Sequence, residues 1–324
     1  MDLDIVDRKI LSELDMNCRI SNTSLAKKVK KSREAVKYRI QKLVEKKIIK
    51  GFITSINPNR LGYYMFKVYL KLENIPEKKE RFIEELKSKK EIYWYGISDG
   101  AYDLVFAMLS KNITEYYIKI NSILSEWKDL IISKVLGTMV DTRQYNKRFF
   151  DVGVDSNFEI FGGEVVDNKI DELDSKILNI LANNARIPLL ELSRKVKANI
   201  ETVKLHIKKL EKEKIILSYR IDVDLNKLNL EFFKAMIYFK KLSKKDEEEI
   251  LNWMQIQKSS LHYIRSLAPW EAELEFAVKN YQEFNKIIND LTEKFSSIIR
   301  NHEHLILIKE SWMPAYHEML TSKK

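Results

Sequence analysis

The sequence predicts an α+β chain built as a tandem repeat: two winged helix-turn-helix domains, each followed by a ferredoxin-like β-α-β-β-α-β sandwich domain. Three observations predict it. They are a repeat at a spacing of 167 residues, three short capped helical patterns at the head of each copy, and alternating strand and helix patterns behind them. Pairing Asp4 with Asp171 and moving forward without a gap gives 24 identities over 58 positions, among them Asp7/Asp174, Arg19-Ile20/Arg186-Ile187 and Ile48-Ile49/Ile215-Ile216. With the offset moved by one residue, the match resumes as SKNITEYYIKINSIL (110–124) against VKNYQEFNKIINDLT (278–292). The expected order is a winged helix over 1–61, a sandwich over 62–150, a linker over 151–168, then the same pair over 169–228 and 229–320.

In the first copy Val6, Ile10, Leu11 and Leu14 recur at helical spacing behind Asp4, whose carboxylate can cap free amides of the first turn. Leu25, Ala26 and Val29 mark a second, shorter helix after Ser21. A third starts at the cap Ser32 and places Val36, Ile40, Leu43 and Val44 on one face. The second copy repeats this with Asp171, with Pro188 at a helix start, and with Asn199 capping a helix whose inward positions are Val203, Ile207 and Leu210. Three such helices joined by tight turns read as a helix-turn-helix. Behind each, the segments 46–62 and 213–229 alternate apolar residues, such as Ile49, Phe52 and Ile53, and suggest a small β wing.

The rest of each copy changes character. YYMFKVYLKL (63–72) reads as a strand, 76–90 as a helix, 91–98 and 101–109 as strands around Asp99-Gly100, 112–124 as a helix and 129–140 as a last strand. That order is the split β-α-β-β-α-β arrangement, and the second copy keeps it. The aromatic residues Tyr63, Tyr64, Phe66, Tyr69, Tyr93, Trp94 and Tyr95 are read as sheet core and sheet-to-sheet interface, not as a cofactor box. The segment 151–168 has Gly162-Gly163 and no helical period, so it reads as a linker able to hold one short strand.

Composition excludes several classes. No apolar run approaches the roughly 20 residues of a membrane span, and the N-terminal stretch has no apolar segment of signal-peptide length, so the expected location is cytoplasmic. The single cysteine, Cys18, forbids an intrachain disulfide and a cysteine-rich metal site, and reads as a small core residue. The net charge of +10 is unevenly placed: residues 1–150 carry +11, and within them the first 61 carry +8 against +4 for residues 169–228. Polyanion binding is therefore expected of both winged helices, more strongly of the first.

The motifs Asp4-x-x-Asp7-x-x-Ile10-Leu11, Asn17-x-Arg19, Leu25-Ala26, Ser32-x-x-x-Val36-x-x-Arg39-Ile40-x-x-Leu43, Ile48-Ile49-x-Gly51-Phe52, Leu61-Gly62 and Gly100-x-Tyr102-Asp103 together resemble the leucine-responsive/asparagine-synthetase (Lrp/AsnC, feast/famine) regulators. The resemblance covers nearly the whole chain, twice. It implies an N-terminal DNA-binding winged helix and a C-terminal effector-sensing, oligomerising domain. Two departures stand out: Lys47 and Lys214 occupy the place of a turn glycine, and the second copy has Ala268-x-Trp270-Glu271 where the first has Gly-x-Tyr-Asp. Forcing a residue with a Cβ into that turn costs about 1 kcal/mol.

A helix-turn-helix presents its second helix to the major groove, where base edges carry a readable pattern. The candidate DNA contacts are Ser32, Arg33, Glu34, Lys37, Tyr38, Arg39 and Lys42 in the first copy, and Asn199, Glu201, Thr202, Lys204, Lys208 and Lys209 in the second. Arg33 and Glu34 stand at the helix start, where bases are nearest; Lys37, Arg39 and Lys42 are expected on phosphates. The partner is double-stranded DNA, read by a covalent pseudo-dimer that need not require a palindrome, with further assembly open. By resemblance, a small metabolite such as an amino acid would bind beside the β-hairpin turn at Asp99, Gly100, Tyr102 and Asp103, while a purely structural turn is an equal alternative. Members of this fold also decarboxylate a modified tetrapyrrole. Against that reading, the histidines are confined to the second copy (His206, His262, His302, His304 and His317), and no glycine-rich phosphate loop or nucleophile motif occurs. A sensor or scaffold that has lost DNA binding is a further alternative, opposed by the basic excess of the first winged helix. No catalytic residue, metal or cofactor is expected, and the chain reads as a non-enzyme.

Overall fold

The computed structural model describes residues 3–150, 152–153 and 155–312; His317 and the end of the expected second sandwich lie outside the described residues. In the first copy, α1 (Ile5–Met16), α2 (Asn22–Val29) and α3 (Arg33–Glu45) form the helix-turn-helix. Each is started by the cap its sequence offers: Asp4 accepts from the Asp7 amide, Ser21 from Ser24 and Ser32 from Ala35, at 2.8, 3.0 and 3.1 Å. In the second copy α6 (Glu172–Asn183), α7 (Leu189–Val196) and α8 (Ile200–Lys212) repeat it, with an Asp171/Asp174 capping box on α6 and Asn199 capping α8.

The strand behind each third helix differs from the small wing expected within each copy. Among the described residues, strand β1 (Ile49–Ile56) and strand β7 (Ile216–Val223) have no partner in their own copies and pair antiparallel with each other. A lone strand leaves its amides and carbonyls unsatisfied, and its counterpart supplies them. The ribbon ties the two winged helices together: β1 lies against α6 and β7 against α1.

The sandwich strands of the first copy are β2 (Tyr64–Leu72), β3 (Ile92–Gly100), β4 (Leu104–Ser110) and β5 (Ile131–Tyr145), with α4 (Pro76–Ser88) and α5 (Ile113–Ser125). Those of the second are β8 (Glu231–Phe239), β9 (Ser260–Leu267), β10 (Ala272–Val278) and β11 (Ile299–Trp312), with α9 (Lys244–Ile256) and α10 (Tyr281–Lys294). Each copy makes a four-stranded sheet, ordered β5-β2-β4-β3 and β11-β8-β10-β9. Pairing of β3 with β11 and of β9 with β5 closes all eight into a ring. This is the pseudo-dimer, and closure removes the exposed sheet edges. Strand β5 runs to Tyr145, beyond the expected 140, because Met65↔Met139 binds its first half to β2 and Gln144↔His262 its far half to β9. In the linker, β6 (Phe158–Gly162) adds to the outside of β5.

Alternation along the strands separates two kinds of core. Phe66, Val68, Leu70, Phe106 and Tyr95 face α4 and α5, and Phe233, Ile237, Leu274 and Phe276 face α9 and α10. Tyr69, Tyr93 and Trp94 lie in the larger core that runs from the barrel interior to the winged helices, whereas Tyr64 remains 42% exposed. The barrel closes tightly at its seams. Gly100, at φ +111°, has the His304 carbonyl 2.8 Å from where a Cβ would sit. At the equivalent seam the second hairpin carries Ala268, and there the facing strand supplies the glycine: Gly137 lies 3.1 Å, measured from its Cβ position, from the Ala268 methyl. The lost hairpin glycine is thus matched by one on β5.

Candidate nucleic-acid interface

The third helices of the two helix-turn-helix units, α3 and α8, are held by one pseudo-symmetric hub. Arg19 donates to the Ala185 carbonyl and Arg186 to the Cys18 carbonyl, at 2.6 and 2.8 Å. Each guanidinium also stacks over an aromatic ring of the ribbon, Arg19 over Tyr219 and Arg186 over Phe52. Cys18, between them, is fully buried, and burial pushes its thiol up to about 12. The Arg19/Arg186 identity is visible in the repeat, but nothing linear shows that each arginine reaches into the other copy.

On α3, Arg33, Glu34, Lys37 and Tyr38 are exposed, and among the described residues nothing pairs with the charges of Arg33, Glu34 and Lys37. Ser32 serves as the cap. Lys42 reaches Glu45 and lies over the Tyr38 ring. Arg39, expected on a phosphate, is instead committed to Asp4 and Asp7, each at 2.7 Å, and locks α3 onto α1. Those two carboxylates raise its pKa.

On α8 the pattern shifts. Glu201 and Lys204 pair with each other, Asn199 caps, Thr202 donates its amide to that cap, and Lys208 is exposed. Lys209 departs from the expected phosphate role: it donates to the fully buried Asp174 at 2.6 Å, with His206 on the other oxygen at 2.8 Å. Leu205, at the position of Tyr38, is 66% exposed. Asp171, Asp174 and His206 present ligand-type atoms within 4.8 Å of one another, a grouping the linear spacing hides. Both Asp174 oxygens already accept hydrogen bonds, from His206, Lys209 and the Asp171 amide.

The expected effector turn is built into the seam. Asp103 accepts from the Leu72 amide at 2.8 Å and pairs with Lys71, whose ammonium also meets the Gly100 carbonyl; Asp99 caps the Gly100 amide. Tyr102 is buried against Tyr69 and Trp270. Glu271 makes the matching bond to the Phe239 amide, so the two hairpins share one architecture despite their different residues. His302 and His304 stack on β11, with His304 packed against Tyr281 and Phe284 of α10; burial and the neighbouring His304 lower the pKa of His302. Among the described residues no helix is long and apolar enough to cross a membrane.

A pair of helix-turn-helix units joined to ferredoxin-like sheets is an architecture that a DNA-binding regulator can use, with the third helix of each unit offered to the major groove. An AsnC-type helix-turn-helix domain matches residues 3–44 and a winged helix-turn-helix DNA-binding domain matches residues 170–216. The transcriptional regulator Ptr1 of Methanocaldococcus jannaschii is 37% identical over 111 residues, spanning 34% of this chain and 74% of that protein. The proline dehydrogenase transcriptional activator of Rhodobacter capsulatus is 34% identical over 119 residues, 35% of this chain and 75% of that one. The chain belongs to the Lrp/AsnC family, in which one copy here corresponds to most of a relative. The siroheme decarboxylase NirDL has the same fold from end to end, with a TM-score of 0.66 at 12% identity, over 98% of this chain and 97% of that one. This corrects the expectation of a non-enzyme: the same two-copy fold houses an enzyme, so the missing catalytic motifs do not exclude one.

Proposed function

We propose that the chain is a sequence-specific DNA-binding transcriptional regulator acting as a covalent pseudo-dimer in the cytoplasm, with α3 and α8 as its two readers. The observation that carries this is the pair of exposed recognition surfaces fixed to one hub by reciprocal Arg19 and Arg186 contacts. Arg33 and Glu34 read bases at the first half-site, with Tyr38 beside them. Lys37 supplies phosphate contact, with Lys27, Lys28, Lys30 and Lys31 of the preceding segment around it. The second reader offers Glu201, Thr202, Leu205 and Lys208 in place of these, so the operator is asymmetric. Regulation by a small metabolite such as an amino acid would act at the hairpin of Asp99, Gly100, Tyr102 and Asp103, where a change in the turn is felt directly at the β3-β11 seam.

The test is selection of bound fragments from random duplexes, followed by fluorescence anisotropy on the selected site across a salt series. Lys37→Ala and Lys208→Ala should each flatten the slope of log affinity against log salt by about 1. Arg33→Ala should relax preference in one half-site only, by about 1 to 3 kcal/mol. No retained duplex, or equal losses on every sequence for Arg33→Ala, would refute sequence-specific reading.

The end-to-end likeness to NirDL favours a second reading, decarboxylation of an iron-containing tetrapyrrole. Anaerobic incubation with siroheme and mass analysis of the pigment tests it; unchanged pigment refutes it.

A further inference from the structure

The barrel interior holds charges that an apolar core would not. Lys67 of β2 and Lys234 of β8 are repeats of one another, both buried. Glu273 and Glu275 of β10 are buried beside them: Glu273 accepts from Lys67 at 2.6 Å and Lys234 at 2.8 Å, and Glu275 meets Lys234 at 3.0 Å. The remaining acceptor capacity of Glu273 is filled by the Tyr69 hydroxyl, Ser266 and the Trp270 indole. Toward the rims His262 lies 2.5 Å from Glu275, while Trp94 donates to Glu310, whose pKa burial raises toward the neutral acid.

The acids, unlike the lysines, are not repeated. Cross-strand register pairs Lys67 with Ala107 and Tyr69 with Val105, as it pairs Lys234 with Glu275 and Met236 with Glu273. Val105 and Ala107 thus occupy in the first copy the places of Glu273 and Glu275. The central face of the first copy carries one positive charge; that of the second carries one ammonium and two carboxylates. Joined, they balance. Two first-copy faces would bury two ammoniums with no counter-charge, and two second-copy faces four carboxylates against two ammoniums. A buried charge without a partner is strongly destabilising, whatever the net worth of the completed pair.

We propose that these four side chains are a pairing code: the inner sheet face of the first copy accepts the face of the second and rejects a face like itself from another copy of this chain. This is the specificity use of buried ions, in which the wrong partner is penalised more than the right one is rewarded.

The test uses the full chain. Glu273→Val with Glu275→Ala imitates two first-copy faces, and Val105→Glu with Ala107→Glu imitates two second-copy faces. Each double variant should lower the melting temperature by about 10 °C. All four substitutions together move the acids to the other copy, where the pseudo-twofold places them against the same lysines, and should recover at least half of the loss. A fourfold variant as unstable as the summed losses would overturn the proposal. Pairing itself is read in a charge-free chain, Lys67→Met, Lys234→Met, Glu273→Val and Glu275→Ala. Refolded at high concentration, it should give a larger share of two-chain species by light scattering than the wild type does under the same conditions, because like faces can then pair as well as unlike ones. Identical species from both would overturn the pairing role; if the charge-free chain does not fold, the fourfold transposition decides.

Discussion

Lysines with positive φ mark the turns of both winged helices. Lys47 and Lys214, between the third helix and the ribbon strand, have φ of 57° and 55°, and Lys30 and Lys197, in the helix-turn-helix turn, 53° and 56°. A side chain there brings Cβ close to the following carbonyl, a cost that glycine escapes. Lys47→Gly and Lys214→Gly should therefore stabilise the chain by up to about 1 kcal/mol each, against the usual sign for an introduced glycine. Urea denaturation measures it, and a loss of stability would show that the lysine stems make contacts worth more than the strain. The first pair was legible because a glycine is missing from a family motif. The second was not, since the conformation comes from the tightness of the turn and no sequence signal accompanies it.

At the scale of elements, the helices were legible in detail because their caps and apolar periods are local. Partners were not. Nothing in IKGFITSI says that it pairs with ILSYRIDV, because a ribbon between copies uses the same alternation as a wing within one. The same limit hid the fates of Arg39 and Lys209, which face carboxylates on α1 and α6 that lie more than 30 residues away. Their tests separate positioning from phosphate contact. Arg39→Ala should weaken DNA binding by loosening α3 while leaving the salt slope unchanged, in contrast to Lys37→Ala, because its guanidinium is turned toward Asp4 and Asp7. A slope reduced by about 1 would return Arg39 to the phosphates. Lys209→Ala should cost more stability than Lys42→Ala, since Asp174 is fully buried and Glu45 is about half exposed.

For the whole molecule, the tandem repeat was the most legible feature and the charged barrel interior the least. AELEFAV alternates polar and apolar residues as a strand with one face in water would, and only closure of the first copy's sheet over that face buries Glu273 and Glu275. A second buried cluster joins the winged helices to the barrel. Asp15 of α1 accepts from Arg220 of β7 at 2.8 Å and from both the amide and the ammonium of Lys147, just past β5, at 2.8 and 2.6 Å; Arg220 also reaches the Tyr145 carbonyl. The repeat has Ala182 and Ile53 where Asp15 and Arg220 stand, so among the described residues this anchor occurs once, on α1. Burial opposes ionisation of Asp15, but Arg220 and Lys147 prevail and hold its carboxyl at about 2. A depressed folded-state pKa contributes stability that is fully present above the ordinary carboxylate value near 4 and lost as pH falls through about 2. Asp15→Asn leaves two buried cations without their counter-charge and should cost about 3 kcal/mol at pH 7. The gap between wild type and variant should stay constant from pH 7 down to about 5, then close progressively toward pH 2 as the wild-type carboxylate takes its proton. Urea titrations of both proteins at each pH measure it by difference, which cancels the other carboxylates. A gap that does not change with pH would assign the loss to packing, and the absence of any gap would remove Asp15 as the anchor between α1 and the barrel.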